Sequence, residues 1–205
     1  HVLPNVKEVE GPFGEFTGYY GPQRLRNVIE VSAITHRRDA IFQHIFTGHR
    51  DTWVLGGIPK EGSLFNLIRG VVPTVKAVHF PMSGGCRFNC YISIDKKVDG
   101  ETKQAALAAL GGCDFVKHVV VVDADIDIYN EEEVMWAVAT RVQADQDVDV
   151  IRNVKGNTLD PSQTDNIMTA KMIIDATKPV QRPYEARVAV PKTAMEKTRL
   201  EDFMP

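Results

Sequence analysis

Four consecutive β-branched residues, Val119-Val120-Val121-Val122, flanked by His118 and Asp123, constrain the fold more than any other stretch of this chain. A strand with one wet face alternates apolar and polar residues, whereas an unbroken apolar run is the pattern of a strand covered on both faces. The segments around the run supply the covering. Residues 101–110 are rich in Ala, Leu, Lys and Gln and stop at Gly111-Gly112, which predicts a short helix with a glycine C-cap. Asn130 predicts an N-cap for a helix over 131–142, with Glu133 completing a capping box and a cluster of acids facing the helix dipole. Ser63 caps a further helix through about Arg69, ended by Gly70 and Pro73. Residues 28–34, 75–81, 90–94 and 148–154 read as strands. Residues 165–176 read as a helix closing at Pro179, with Met168, Met172 and Ile173 or Ile174 on its core side.

At 205 residues and 43% apolar, the chain has material for one sizeable core, or one domain and part of another. Lys plus Arg (24) nearly balances Asp plus Glu (27), and no basic stripe suited to phosphate backbones is present, so nucleic acid is not an expected partner. Apolar runs fall far short of the roughly 20 residues that span a bilayer, and no signal-like segment leads the sequence; a cytoplasmic protein without a membrane partner is expected. Cys86, Cys90 and Cys113 form neither a disulfide framework nor a zinc pattern, and reduced thiols are expected. The breaker Gly56-Gly57-Ile58-Pro59 suggests a division into residues 1–58 and 59–185, followed by a Pro-punctuated tail, 186–205, either an arm to a neighbouring subunit or a surface tail.

The segment from Glu10 to Tyr20, Glu-Gly-Pro-Phe-Gly-Glu-Phe-Thr-Gly-Tyr-Tyr, sets Glu10 and Glu15 around a glycine-proline turn beside aromatics. On a regular strand that odd offset would send the two acids to opposite faces, so a bend is required to bring them to one cleft; Gly11, Gly14 and Pro12 supply the backbone freedom and the turn. Taken alone, such a string reads first as a solvated turn with two exposed acids. Asp123, Asp125 and Asp127 alternate along a strand end and could share a cation, but loop acids ahead of a capped helix are the simpler account, and no metal ligand is assigned. Gly56-Gly57 and Gly84-Gly85 lack the order of a phosphate-binding loop.

The motif Glu10-Gly-Pro-Phe-Gly-Glu15-Phe-Thr-Gly-Tyr19, with Ile34-Thr-His-Arg-Arg-Asp-Ala-Ile-Phe42, Val122-Asp-Ala-Asp-Ile-Asp-Ile-Tyr-Asn130 and Glu133-Val-Met-Trp-Ala-Val-Ala-Thr-Arg141 in that order, resembles the UbiD family. These are prenylated-FMN-dependent reversible decarboxylases of aromatic, heteroaromatic and α,β-unsaturated acids. The resemblance implies an α/β (α+β) chain: the end of a split β-barrel over 1–58, then a C-terminal α/β oligomerisation domain over 59–185 with a mixed sheet flanked by helices. It implies that Glu10 and Glu15 are the two glutamates of a Glu-Arg-Glu network, Glu15 protonating the substrate carbon and Glu10 pairing with the arginine. It also implies a flavin contact by Lys96 or Lys97. That arginine, the main flavin site and the ligands for Mn2+ and K+ are expected in an N-terminal portion outside this chain, which alone is expected to be inactive and to bind no cofactor.

Independently of the resemblance, an acid that donates a proton near neutral pH needs desolvation or a neighbouring negative charge; Phe13, Phe16, Tyr19 and a second acid are candidates for both. Two readings of other classes remain: a non-enzymatic oligomerisation module or partner subunit, and a nucleotide-binding α/β domain using Asp123, Asp125 and Asp127 with a metal.

Overall fold

The computed structural model of the chain describes residues 1–163, 167–199, 201 and 203. Its elements run β1 (Val2–Glu10), β2 (Arg24–Ile29), α1 (Arg50–Val71), β3 (Val75–His79), β4 (Asn89–Ile94), α2 (Glu101–Gly112), β5 (His118–Asp123), α3 (Glu131–Arg141), β6 (Val148–Lys155), β7 (Met168–Ala176) and α4 (Lys192–Lys197). β1 and β2 form a separate antiparallel ribbon, and the other five strands form one mixed sheet in the order β3-β4-β5-β7-β6. The valine run is its middle strand, parallel to both β4 and β7. Val119 and Val121 enter a core with Ile68 of α1 and Ala106 and Ala109 of α2, while Val120 and Val122 enter a second core with Val134 and Ala137 of α3. The expected mixed sheet flanked by helices is therefore the architecture, and the unbroken run exists because each face of β5 has its own helical cover.

Lys171 of β7 is buried in this sheet, and its ammonium donates to the carbonyl oxygens of Leu110 (3.0 Å) and Cys113 (3.3 Å). It thus serves the orphan acceptors at the end of α2. Burial pushes its pKa down from the ordinary lysine range.

Several elements depart from the sequence expectation. Residues 165–176 do not form a helix over the described part: Met168–Ala176 is β7, and residues 165 and 166 lie outside the described residues. The spacing of Met168 and Met172 fits either period, and pairing with β5 on one side and β6 on the other decides for the strand, where Ile173 faces opposite to them. The breaker at 56–59 is instead the middle of α1, which is 22 residues long and includes Pro59. Gly56 and Gly57 are there for packing: a Cβ on Gly56 would run into the Arg87 guanidinium, and one on Gly57 would stand 2.9 Å from the Cys86 Cβ. Gly112 likewise ends α2 as a contact surface, because its Cβ would lie 3.0 Å from Leu67 of α1; the C-cap is Cys113 in an extended conformation. Asn130 does cap α3, accepting from the Glu132 amide at 3.1 Å, but Glu133 reaches back to the Asp127 amide (3.2 Å), so the capping box is not closed. The strand expected over 28–34 ends at Ile29, and residues 30–49 follow without regular structure, leaving Ile34, Ile41 and Phe42 exposed.

Because Val121 is fully buried between β5's neighbours and the α1–α2 layer, Val121→Ala leaves a cavity that close-packed helices cannot collapse. The expected loss is about 2–3 kcal/mol, read as a lower urea midpoint with an unchanged slope.

Candidate active site

The ribbon continues past β1 into a hairpin that bends the carboxylate segment as the chemistry requires. Glu10 pairs with Arg24 at the end of the ladder, and Gly14 bridges Tyr20. At the tip the Glu15 amide donates to the Tyr19 carbonyl (2.9 Å) and the Gly18 amide to the Glu15 carbonyl (3.0 Å). Gly11 and Gly18 adopt φ of +89° and +80°, the region glycine enters without strain. Glu10 and Glu15 now line one small cleft of about 40 Å³, together with Arg24, Arg26 and Leu159.

Within it the two acids differ. Glu10 meets the Arg26 Nε at 3.4 Å, an arginine partner from β2 that sequence reading missed; both side chains are half-exposed, so the pair contributes little, roughly 0–1 kcal/mol. Glu15 lies over Gly21, where a Cβ would stand 3.1 Å from its Cγ and Oε1. Among the described residues no hydrogen bond or ion pair holds the Glu15 carboxylate, which also opens into a larger cleft of about 440 Å³ shared with Tyr19, Arg24, Thr158 and Asp160. Phe13 and Tyr19 do not cover the acids as expected: they are 49% and 65% exposed.

Phe16 goes the other way, and within residues 1–49 it is the one buried side chain. Its ring packs against Phe88 (5.4 Å) and edge-on against Phe115 (5.6 Å), with the Arg87 guanidinium 4.5 Å from its centroid. Its carbonyl accepts the indole N–H of Trp53 at 2.6 Å. The hairpin tip is thereby seated at the amino ends of β4 and β5, beside a cleft of about 490 Å³ lined by Trp53, Phe88, Asn89, Lys117, His118 and Asp160. Burial pushes the His118 imidazole down, an effect Lys117 reinforces. Asp160 is buried; that burial alone would raise its carboxyl, but a 2.7 Å ion pair with Lys117 and hydrogen bonds from the Ser162 amide and hydroxyl outweigh it and hold the group below the usual carboxylate range.

The remaining sequence candidates sit at the other end of the sheet. Lys96 and Lys97 follow the carboxyl end of β4, and a six-residue strand spans roughly 17–20 Å, so neither shares a cleft with Glu15. Lys96 is nearly buried and paired with Asp99 at 2.9 Å, while Lys97 pairs with Asp95 at 2.9 Å. These four residues do not form one cofactor cradle within the chain. Asp123 and Asp125 do not face a cation: both bind the buried guanidinium of Arg141, at 2.8 and 3.1 Å, and Lys178 adds a contact to Asp125 at 2.8 Å. Asp127 accepts from the Tyr129 amide instead. Among the described residues no cluster of three or more His, Cys, Asp or Glu could hold a metal ion, and no helix is long and apolar enough to cross a membrane.

Comparison with known proteins gives this geometry a context. Residues 1–50 match the family model of the 3-octaprenyl-4-hydroxybenzoate carboxy-lyase Rift-related domain, and residues 53–176 that of the same enzyme's C-terminal domain. An anhydromevalonate phosphate decarboxylase of Methanocaldococcus jannaschii is 38% identical over 86% of this chain and 42% of its own length. A phenolic acid decarboxylase of Sedimentibacter hydroxybenzoicus is 37% identical over 96% of this chain and again 42% of its own. The chain thus spans about two fifths of these curated relatives. The UbiD-class enzyme HmfF from Pelotomaculum thermopropionicum, in complex with FMN, superposes with a TM-score of 0.91 at 47% identity, covering 99% of this chain and 45% of that one. An evolved dimeric form of it with prFMN gives 0.83 at 44% identity, covering 99% and 43%.

Asp160 offers a direct test of the electrostatics beside the cleft. A carboxylate whose folded pKa is depressed contributes stability above its unfolded value, near 3.9, and loses it as pH falls through the folded one. Asp160→Asn should therefore cost about 2 kcal/mol above pH 5, with the gap to the parent closing below pH 4, as read from urea midpoints across pH.

Proposed function

The chain belongs to the UbiD carboxy-lyase family, and from that premise we propose that it is the C-terminal part of a decarboxylase acting on aromatic, heteroaromatic or α,β-unsaturated carboxylic acids. In this reading the segment ahead of α1 completes a split β-barrel, the α/β unit from α1 to residue 185 forms an oligomerisation domain and residues 186–205 form a tail, so the boundary expected at 58 moves to the start of α1. The observation that carries the proposal is the hairpin itself: it turns Glu10 and Glu15 into one cleft, pairs Glu10 with an arginine and, among the described residues, leaves the Glu15 carboxylate unpaired at the mouth of a larger cavity.

The division of labour follows from that difference. When the bond to the substrate carboxyl breaks and carbon dioxide leaves, the carbon retains an electron pair and needs a proton. An acid tied into an ion pair is a poor source, whereas Glu15, which no described residue pairs, borders open space and is the proton donor. Glu10, held by an arginine, fixes the charge beside it. In the complete enzyme that arginine is contributed by the N-terminal portion, and Arg26 is its partner within this chain. Prenylated FMN, when bound, supplies the sink for the electron pair. In this reading the main flavin site and the ligands for Mn2+ and K+ lie in the N-terminal portion, and this chain alone is inactive. Any flavin contact by Lys96 or Lys97 lies outside the cleft that Glu15 lines.

The expected partners are that N-terminal portion, a small carboxylic acid and further copies of the α/β domain, in the cytoplasm. The ribbon supports the first of these: Val2, Val9, Leu25 and Ile29 are all at least 60% exposed, and a two-stranded ribbon without a covering layer is marginal in water.

In the complete enzyme Glu15→Gln keeps the shape of the side chain and removes its proton. Turnover should fall by on the order of 10²–10⁴-fold with the flavin spectrum unchanged; near-parental turnover would remove Glu15 from the role assigned here.

A further inference from the structure

We propose that Trp53 and Arg87 are positioning residues for Glu15, acting through Phe16. The inference rests on the reading of Glu15 as proton donor and extends it to side chains that never meet the substrate. Glu15 sits on a hairpin tip whose neighbours Thr17 to Tyr20 are largely solvent-facing, and among the described residues nothing bonded to its own carboxylate fixes its place. What fixes it is the next residue. The Phe16 ring is buried between Phe88 and Phe115 with the Arg87 guanidinium on its face, and the Phe16 carbonyl is held by the Trp53 indole N–H at 2.6 Å. One residue thus has both its side chain and its carbonyl anchored, which fixes the Phe16 Cα and the peptide plane beyond it, while the Glu15–Phe16 plane is held by the Gly18 amide donating to the Glu15 carbonyl at 3.0 Å.

Two glycines make the anchorage possible. Arg87 occupies space that a Cβ on Gly56 would take, which places the guanidinium where α1 lacks a side chain. Gly48, at φ +75°, backs the tip so closely that a Cβ would stand 3.2 Å from the Glu15 carbonyl and 3.1 Å from the Gly18 Cα. With the backbone held on these sides, only the side-chain torsions of Glu15 remain, and Gly21 receives the carboxylate. The anchor lies wholly on the α/β side of the molecule, so the position of the acid follows that unit and not the exposed ribbon.

Trp53→Phe keeps an aromatic ring and deletes the donor; Arg87→Met keeps bulk and deletes the cation. In the complete flavin-loaded enzyme each should lower kcat roughly 10- to 100-fold, the scale of an ångström-level misplacement, with KM within about twofold. The solvent deuterium isotope effect on kcat should rise as proton delivery slows, and amide exchange over residues 14–21, followed by mass spectrometry, should quicken. Parental kcat and isotope effect in both variants would overturn the inference. So would a lower kcat with unchanged isotope effect and exchange, since that marks only fewer active molecules. If Trp53→Phe does not fold, Arg87→Met carries the test. Glu15→Gln alongside separates the two ideas: parental turnover there defeats the proton-donor reading and the positioning role with it, whereas loss there with both anchor variants at parental rates defeats the positioning role alone.

Discussion

Everything in this chain is arranged around a strand that cannot be exposed on either side. β5 sends alternate valines into two different cores, so α1 and α2 must cover one face of the sheet and α3 the other. Each fully buried valine contributes roughly 1.5–3 kcal/mol over an exposed one, more than any single ion pair at the surface. That demand also fixes β4 and β7 as its parallel partners, and with them the loops at the two ends of the sheet. The carboxyl ends carry Asp123 and the Arg141 network; the amino ends carry the floor on which the hairpin with Glu10 and Glu15 rests.

How much of this was legible beforehand depended on whether the deciding contact was local. β5, α2 and α3 announce themselves because their signals, a β-branched run, a helix-forming composition and an asparagine cap, lie within the element itself. β7 does not, since the i, i+4 pair Met168 and Met172 shares a face in a helix and in a strand alike, and only the partner strands choose between them. The glycines of α1 were read as a break because a glycine pair and a proline usually are one; the side chains that need their missing Cβ atoms, Arg87 and Cys86, lie about thirty residues further on.

The same rule divides the site. That Glu10 and Glu15 must be bent into one cleft follows from their spacing, and the hairpin does so. That Arg26 would reach Glu10 required the register of the ribbon, and that Phe16 would turn inward to meet Trp53 required a contact across 37 residues. The three aromatics around the acids look alike in sequence, yet Phe16 is buried while Phe13 and Tyr19 face solvent. A glycine at 48 with a positive φ, and a glycine pair on the face of a helix, are the traces such a contact leaves in sequence.

The exposed ribbon leaves the two acids unequally fixed. A hairpin fastened at its tip but bare along its length has two ladders of rigidity: the tip shares the stability of the α/β core, while the strands leading to it can open at far smaller cost. Glu15 belongs to the first regime and Glu10, at the end of β1, to the second. A carboxylate pair split in this way is held half by the α/β unit and half by a ribbon without a covering layer, so covering the ribbon would order Glu10 far more than Glu15.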